Sequence, residues 1–114
     1  MAEMSRGAGP DRAALEARWL HLTNDALPAA AGEDWPVRFN HCFQRILLDH
    51  AAGGVWYDAI PGRPAYAHAG TALLAHAITT GEAVLDGSAD LHALNERSLE
   101  WRRRRRADEG VSAG

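Results

Sequence analysis

An all-α fold is predicted here: one small domain of about four helices, with a single long irregular segment between the second and third. Three observations lead to it. Apolar residues recur at spacings of three and four in four separate stretches, as one buried helix face requires. No stretch alternates apolar and polar residues in the way of a strand. Alanine, the strongest helix former, supplies about a fifth of the chain. A length of 114 residues suits one modest core and is too short for two domains. The hydrophobic fraction of 46 % and charged fraction of 24 % are those of a globular chain.

The elements follow in order. Residues 1–10 are small, polar and Gly-rich, which predicts a disordered N-terminus. Asp11 can cap a first helix in which Leu15, Trp19, Leu22 and Ala26 keep the helical period, and Pro28 should end or kink it. Asp34-Trp35-Pro36 has the form of a second helix start, with Asp34 as N-cap and proline in the first turn. That helix would bury Phe39, Cys42, Phe43, Ile46 and Leu47 and stop at Gly53-Gly54. The segment from Val55 to Gly70 should be irregular, with a single helical turn near Trp56 to Ile60 and a type II turn at Ile60-Pro61-Gly62-Arg63. A third helix is expected over Thr71–Asp86, closed by Gly87. A fourth, capped by Ser88, carries Leu91, Leu94, Ser98 and Trp101 into the run Arg102 to Arg106. The domain then spans 11–106, and residues 107–114 form a disordered tail. Trp19, Phe39, Phe43, Ile46, Leu47, Leu74, Ile78 and Leu94 should share one core.

Charge and cysteine content narrow the function classes. A net charge of −3 argues against nucleic-acid binding over the whole surface, where a broad basic excess is usual. The single cysteine, Cys42, cannot form an internal disulfide, and the first ten residues contain no apolar signal core. No run of about 18 apolar residues exists to cross a membrane. A cytoplasmic protein is the expectation.

The strongest candidate site is on the second helix, where Arg38, His41, Arg45 and Asp49 follow at spacings of three and four. Two forked guanidiniums can clamp a carboxylate or phosphate, and an imidazole titrates near neutrality. The plain alternative is an Arg45–Asp49 pair on a solvated face. Trp56, Tyr57 and Asp58 come next, after a double glycine that allows a sharp reversal. Brought back over the helix, those aromatics beside Arg and His would suit a planar anionic ligand such as a nucleotide. Trp56 and Tyr66 could equally plug the core. Helical neighbours point about 100° apart, so Cys42 and His41 make no nucleophile–base pair. Cys42 is expected to be a small buried residue. His41, His50, His68, His76 and His92 are scattered without metal-ligand spacing, so neither metal nor cofactor is expected.

Arg97 with Arg102, Arg103, Arg104, Arg105 and Arg106 could grip a phosphate backbone, with Trp101 stacking a base. Glu100, Asp108 and Glu109 blunt that patch, and five consecutive arginines encircle a helix. A solvated helix end that suits the negative dipole is the alternative.

Trp35-Pro36-Val37-Arg38, His41 through Asp49, Trp56-Tyr57-Asp58, Pro64-Ala65-Tyr66, Asp90-Leu91, Leu94-Asn95 and Ser98 through Arg102 together resemble a family of small uncharacterised bacterial proteins. The resemblance covers roughly residues 11–102. Some members of that family carry the label of GCN5-related acetyltransferase. Such enzymes hold the acetyl-CoA pyrophosphate on an Arg/Gln-x-x-Gly-x-Gly/Ala turn between strand and helix. This chain contains no such turn and no strand to carry it, so the resemblance implies no activity.

Three readings remain, in this order. The first is a helical binding module that recognises an anionic small molecule or an acidic protein segment through Arg38, His41, Arg45, Asp49, Trp56, Tyr57 and Asp58. The second is a nucleic-acid-associated protein using the arginine run. The third is a small enzyme with His41 as acid/base, positioned by Asp49 or Asp58.

Overall fold

The computed structural model describes the backbone of residues 8–113 and the side chains of residues 11–108. Helix α1, Ala8–His21, passes without a break through a π-helical stretch, Leu22–Ala26, into a last turn α2, Leu27–Ala30. Helix α3 is Asn40–Ala52, α4 Ala65–His68, α5 Thr71–Asp86 and α6 Leu91–Ala113, with a 3-10 turn at Trp56–Asp58. The fold is all-α, and no strand occurs among the described residues. Residues 1–7 and Gly114, part of the termini expected to be disordered, lie outside those described; 8–10 belong to α1 and 107–113 to α6. No helix among the described residues is long and apolar enough to cross a membrane.

The core forms where α3 packs on α5 and α1 with its π stretch closes over both. Trp19, Leu27, Phe43, Ile46, Leu47, Leu74 and Ile78 are fully buried there, each contributing roughly 1.5–3 kcal/mol for a large aliphatic or aromatic side chain. Leu94 packs on the edge of this cluster. Gly81 sets the helix separation, because a Cβ there would stand 2.6 Å from Leu22 Cδ2 and 3.0 Å from Leu47 Cδ1. Gly53 and Gly87, with φ of 76° and 86°, end α3 and α5 as expected. In both, the next residue donates to the carbonyl five back, Gly54 to Asp49 and Ser88 to Ala83.

Several local expectations are corrected. Pro28 does not end the first helix. The Leu27 N–H bonds five residues back to the Leu22 carbonyl, so the proline follows directly on a π-helical widening of the continuous helix. Asp11 lies within the first turn of α1 and does not precede it. Asp34 and Pro36 do not start a helix: α3 begins six residues later, at Asn40. Residues 31–39 instead form a strap, tied by Trp35 N–H to the Gly32 carbonyl, by the Asp34 carbonyl to His92 Nε2 at 2.7 Å, and by Trp35 edge-on to Phe43.

Phe39 therefore sits in the extended N-cap position and is 65 % exposed, outside the core. Asp90, not Ser88, caps α6, its Oδ1 accepting the Ala93 N–H. Ser88 belongs to the turn before it, where its N–H also bonds Asp86 Oδ1. The type II turn at Ile60–Arg63 fails because Gly62 lacks positive φ. That glycine makes room for the His68 ring, 2.7 Å from where a Cβ would lie. The Arg63–Pro64 peptide bond is cis, and Pro64 leads into the unforeseen helix α4. Arg12 ties α4 to α1 by donating to the Tyr66 and Ala69 carbonyls and to Thr71 Oγ1.

Candidate functional site

Successive residues of α3 turn by about 100°, which decides where each polar side chain goes. His41 and Leu48 lie about 40° and 60° to one side of Arg45, and Asp49 about 40° to the other. The first side, with Gln44, meets the segment that returns after Gly53-Gly54. His41, Gln44, Arg45 and Leu48 from α3 face Trp56, Arg63, Pro64 and Ala65 across a cleft of about 300 Å³. The other side of the helix faces α6, and Asp49 is fully buried there.

Asp49 is a carboxylate with four donors. Arg102 Nε and Nη2 hold its two oxygens at 2.9 and 3.0 Å, Ser98 Oγ donates to Oδ2 at 2.6 Å, and the Trp56 N–H donates to Oδ1 at 3.0 Å. One buried side chain thereby ties α3 to α6 and to the 3-10 turn. Arg45 stands between the two environments. Its Nη1 donates to Ser98 Oγ at 2.8 Å and its Nη2 to Asn95 Oδ1 at 2.7 Å, while it also lines the cleft. Two of the five guanidinium donors are used in this way. Burial first, and the Arg102 charge second, hold the Arg45 pKa below its ordinary value, against the pull of Asp49. Arg45 stays protonated even so, as arginine does in proteins. Excess positive charge at the cleft wall is the result.

The predicted row is thus divided. His41 and Arg45 line the cleft. Asp49 is turned away from it, contrary to expectation, and it pairs with Arg102 instead of Arg45. Arg38 would have fallen beside Arg45 had the helix begun at Asp34. It precedes α3, exposed, with its guanidinium 3.5 Å from the Glu33 carbonyl. His41 is exposed and stacks in parallel on Phe39 at 5.9 Å. The oxygens of Asp49 and Asp58 bond other groups, so neither orients His41 as an acid/base. Cys42 is half-buried and unpaired. His50 bonds the Leu94 carbonyl and packs on Trp101. No group of three or more His, Cys, Asp or Glu suited to a metal occurs among the described residues.

Trp56 lines the cleft under Arg63, whose guanidinium sits 5.1 Å above the indole. Trp56 and Tyr66 are also partly buried against the core, so the plugging role holds for both. Tyr57, 41 % exposed, meets Trp56 edge-on and lies near two guanidiniums, Arg102 at 5.5 Å and Arg105 at 4.7 Å. Arg105 also grips both oxygens of Asp58. That contact holds the Asp58 carboxyl below the usual carboxylate range.

The arginine run is therefore not a uniformly solvated helix end. Arg102 and Arg105, three residues apart, face α3 and the 3-10 turn. Arg104 pairs with Glu100, and Arg97 lies over Trp101. Arg103 and Arg106 are exposed, and Arg103 shares a shallow depression with Glu96, Arg97 and Glu100.

Sequence reasoning missed Arg63, Gln44 and the α6 partners Asn95 and Ser98. A signal existed for the last two. Asn95, Ser98 and Arg102 interrupt the apolar stripe of α6 at spacings of three and four, and polar residues on a buried stripe need partners on the facing helix. No protein-family profile, curated protein or solved structure matches the chain.

Proposed function

We propose that this protein is a small helical binding module that takes up an anionic small molecule in the cleft between α3 and the segment Trp56–Ala65. One observation carries the reading. In a chain with 15 acidic and 12 basic residues, this cleft gathers Arg45, Arg63 and His41 beside Gln44 and Trp56, and its lining contains no carboxylate. An anion there would meet a desolvated guanidinium with donors to spare and a second, exposed guanidinium on the opposite wall. The volume of about 300 Å³ favours a small molecule over a folded acidic segment. Arg102 and Arg105 are engaged within the fold, which ranks this cleft above the arginine run as the anion site. Action in the cytoplasm fits the free thiol of Cys42.

Thermal-shift measurements against phosphorylated and carboxylated metabolites test the proposal. A true ligand at one hundred times its Kd stabilises the fold by about 2.7 kcal/mol. Arg63→Ala and His41→Ala, both at exposed positions, should reduce that shift while leaving the ligand-free melting temperature nearly unchanged. Equal shifts in wild type and both variants would place binding elsewhere.

A further inference from the structure

The cationic cleft has a neighbour. A second recess of about 400 Å³ is lined by Trp56, Tyr57, Ile60, Pro61, Gly62 and Arg63. The two share Trp56 and Arg63, so they adjoin at one stacked side-chain pair, the Arg63 guanidinium resting on the Trp56 indole. Their chemistry differs. The first offers guanidinium, imidazole and amide groups. The second offers two aromatic rings set edge to face at 85° and a proline, with Ile60 buried beneath, again without a carboxylate.

From this pairing we infer that the ligand is bipartite, a phosphate ester bearing a planar ring, of the nucleoside monophosphate class. The inference rests on the proposed anion binding and adds the second half of the ligand. The phosphate enters between Arg45, His41 and Arg63. Arg63 leaves the indole to meet it, and the ring of the ligand takes the vacated face of Trp56, reaching toward Tyr57 and Pro61. Energetics favour the exchange. An exposed cation–π contact is weaker than stacking of a nucleobase on an aromatic side chain, and Arg63 gains a charge-assisted pair in place of a ring. Trp56 is held for this role from behind, because its N–H is bonded to buried Asp49.

Calorimetric titration of the full chain with inorganic phosphate, ribose 5-phosphate, adenosine and AMP decides the matter. AMP should bind roughly tenfold or more tightly than ribose 5-phosphate, the gain expected of one stacked base. Trp56→Leu keeps the backbone N–H and should erase that advantage, so that AMP and ribose 5-phosphate bind the variant with equal affinity. His41→Gln should weaken AMP and ribose 5-phosphate by the same factor. If AMP and ribose 5-phosphate bind wild type equally, the ring contributes nothing, and the bipartite ligand is overturned while the anion cleft stands. If no phosphate compound binds, the anion reading falls and this inference falls with it. Adenosine binding as tightly as AMP would also overturn it, by showing a ring site without an anion site. These arms use the wild-type protein, so a variant that fails to fold does not leave the inference undecided.

Discussion

Helix α3 is held on two sides by opposite means. Toward α5 it buries Phe43, Ile46 and Leu47 in one core with Leu74, Ala77 and Ile78. Toward α6 it presents Asp49 and Arg45 to Ser98, Asn95 and Arg102. The first contact is non-directional and scales with the area taken from water. The second is a directional lattice, in which each group is satisfied only if α6 sits in one register. Close packing against Gly81 gives the first side its stability. Hydrogen-bond geometry gives the second side its specificity, and with it the placement of the cleft wall.

The sharpest way to break the apolar side is Phe43→Ala. It should cost about 3–5 kcal/mol in urea denaturation, the range for a large ring lost from a packed core. A smaller loss would mean that α3 and α5 can collapse into the gap.

On the polar side, Asp49→Ala leaves Ser98 and Arg102 without their acceptor and should cost about 3 kcal/mol. Arg102→Ala should be nearly as severe, and a double-mutant cycle should give a coupling on the order of 1–3 kcal/mol. Additive effects would show that the two sides differ less than the geometry implies. Arg103→Ala, one residue along the same run and exposed, should change stability by less than about 0.5 kcal/mol.

The smallest effect concerns the exposed rim of the polar side. Hydrogen bonding from Arg105 lowers the Asp58 pKa in the folded state. An unfolded Asp titrates near pH 3.9, so the contribution is complete above about pH 4 and is lost as pH falls through the lower folded value. Replacing Asp58 with Asn should therefore lower the melting temperature slightly near neutrality and leave it nearly unaltered in strong acid, where the wild-type carboxyl is protonated as well. An equal change at pH 7 and pH 3 would point to packing of Tyr57 as the cause.

What could be read in the sequence followed from local chemistry. Gly53 and Gly87 are helix stops because only a residue without Cβ takes the left-handed conformation easily. The stripes on α3 and α5 are visible because they are apolar and periodic. The errors lie where tertiary contacts override local preference. Asp34 and Pro36 have the residues of a helix start, yet the Asp34 carbonyl and the Trp35 ring bind α6 and α3 more profitably than a helical turn would. That shift of the N-cap by five residues, from Asp34 to Phe39, removed Phe39 from the core and Arg38 from the predicted row. The site was half legible: His41, Arg45 and Trp56 meet at one cleft, whereas Arg63 gave no local sign of joining them. Arg102 was hidden among four identical neighbours, since nothing within the run says which arginine faces Asp49.

The bond from the Trp56 N–H to Asp49 has a consequence for how such a chain can diversify. The far wall of the cleft is fastened through its main chain to a residue beneath the surface, and the fastening is indifferent to the side chain at position 56. His41 and Arg63 are exposed and contribute no hydrogen bond to the core. The side chains at the mouth of the cleft can be exchanged without redesigning the frame that presents them. If the proposed binding holds, its selectivity can change on the outside of α3 while the Asp49 side stays fixed, one helix serving as both signboard and post.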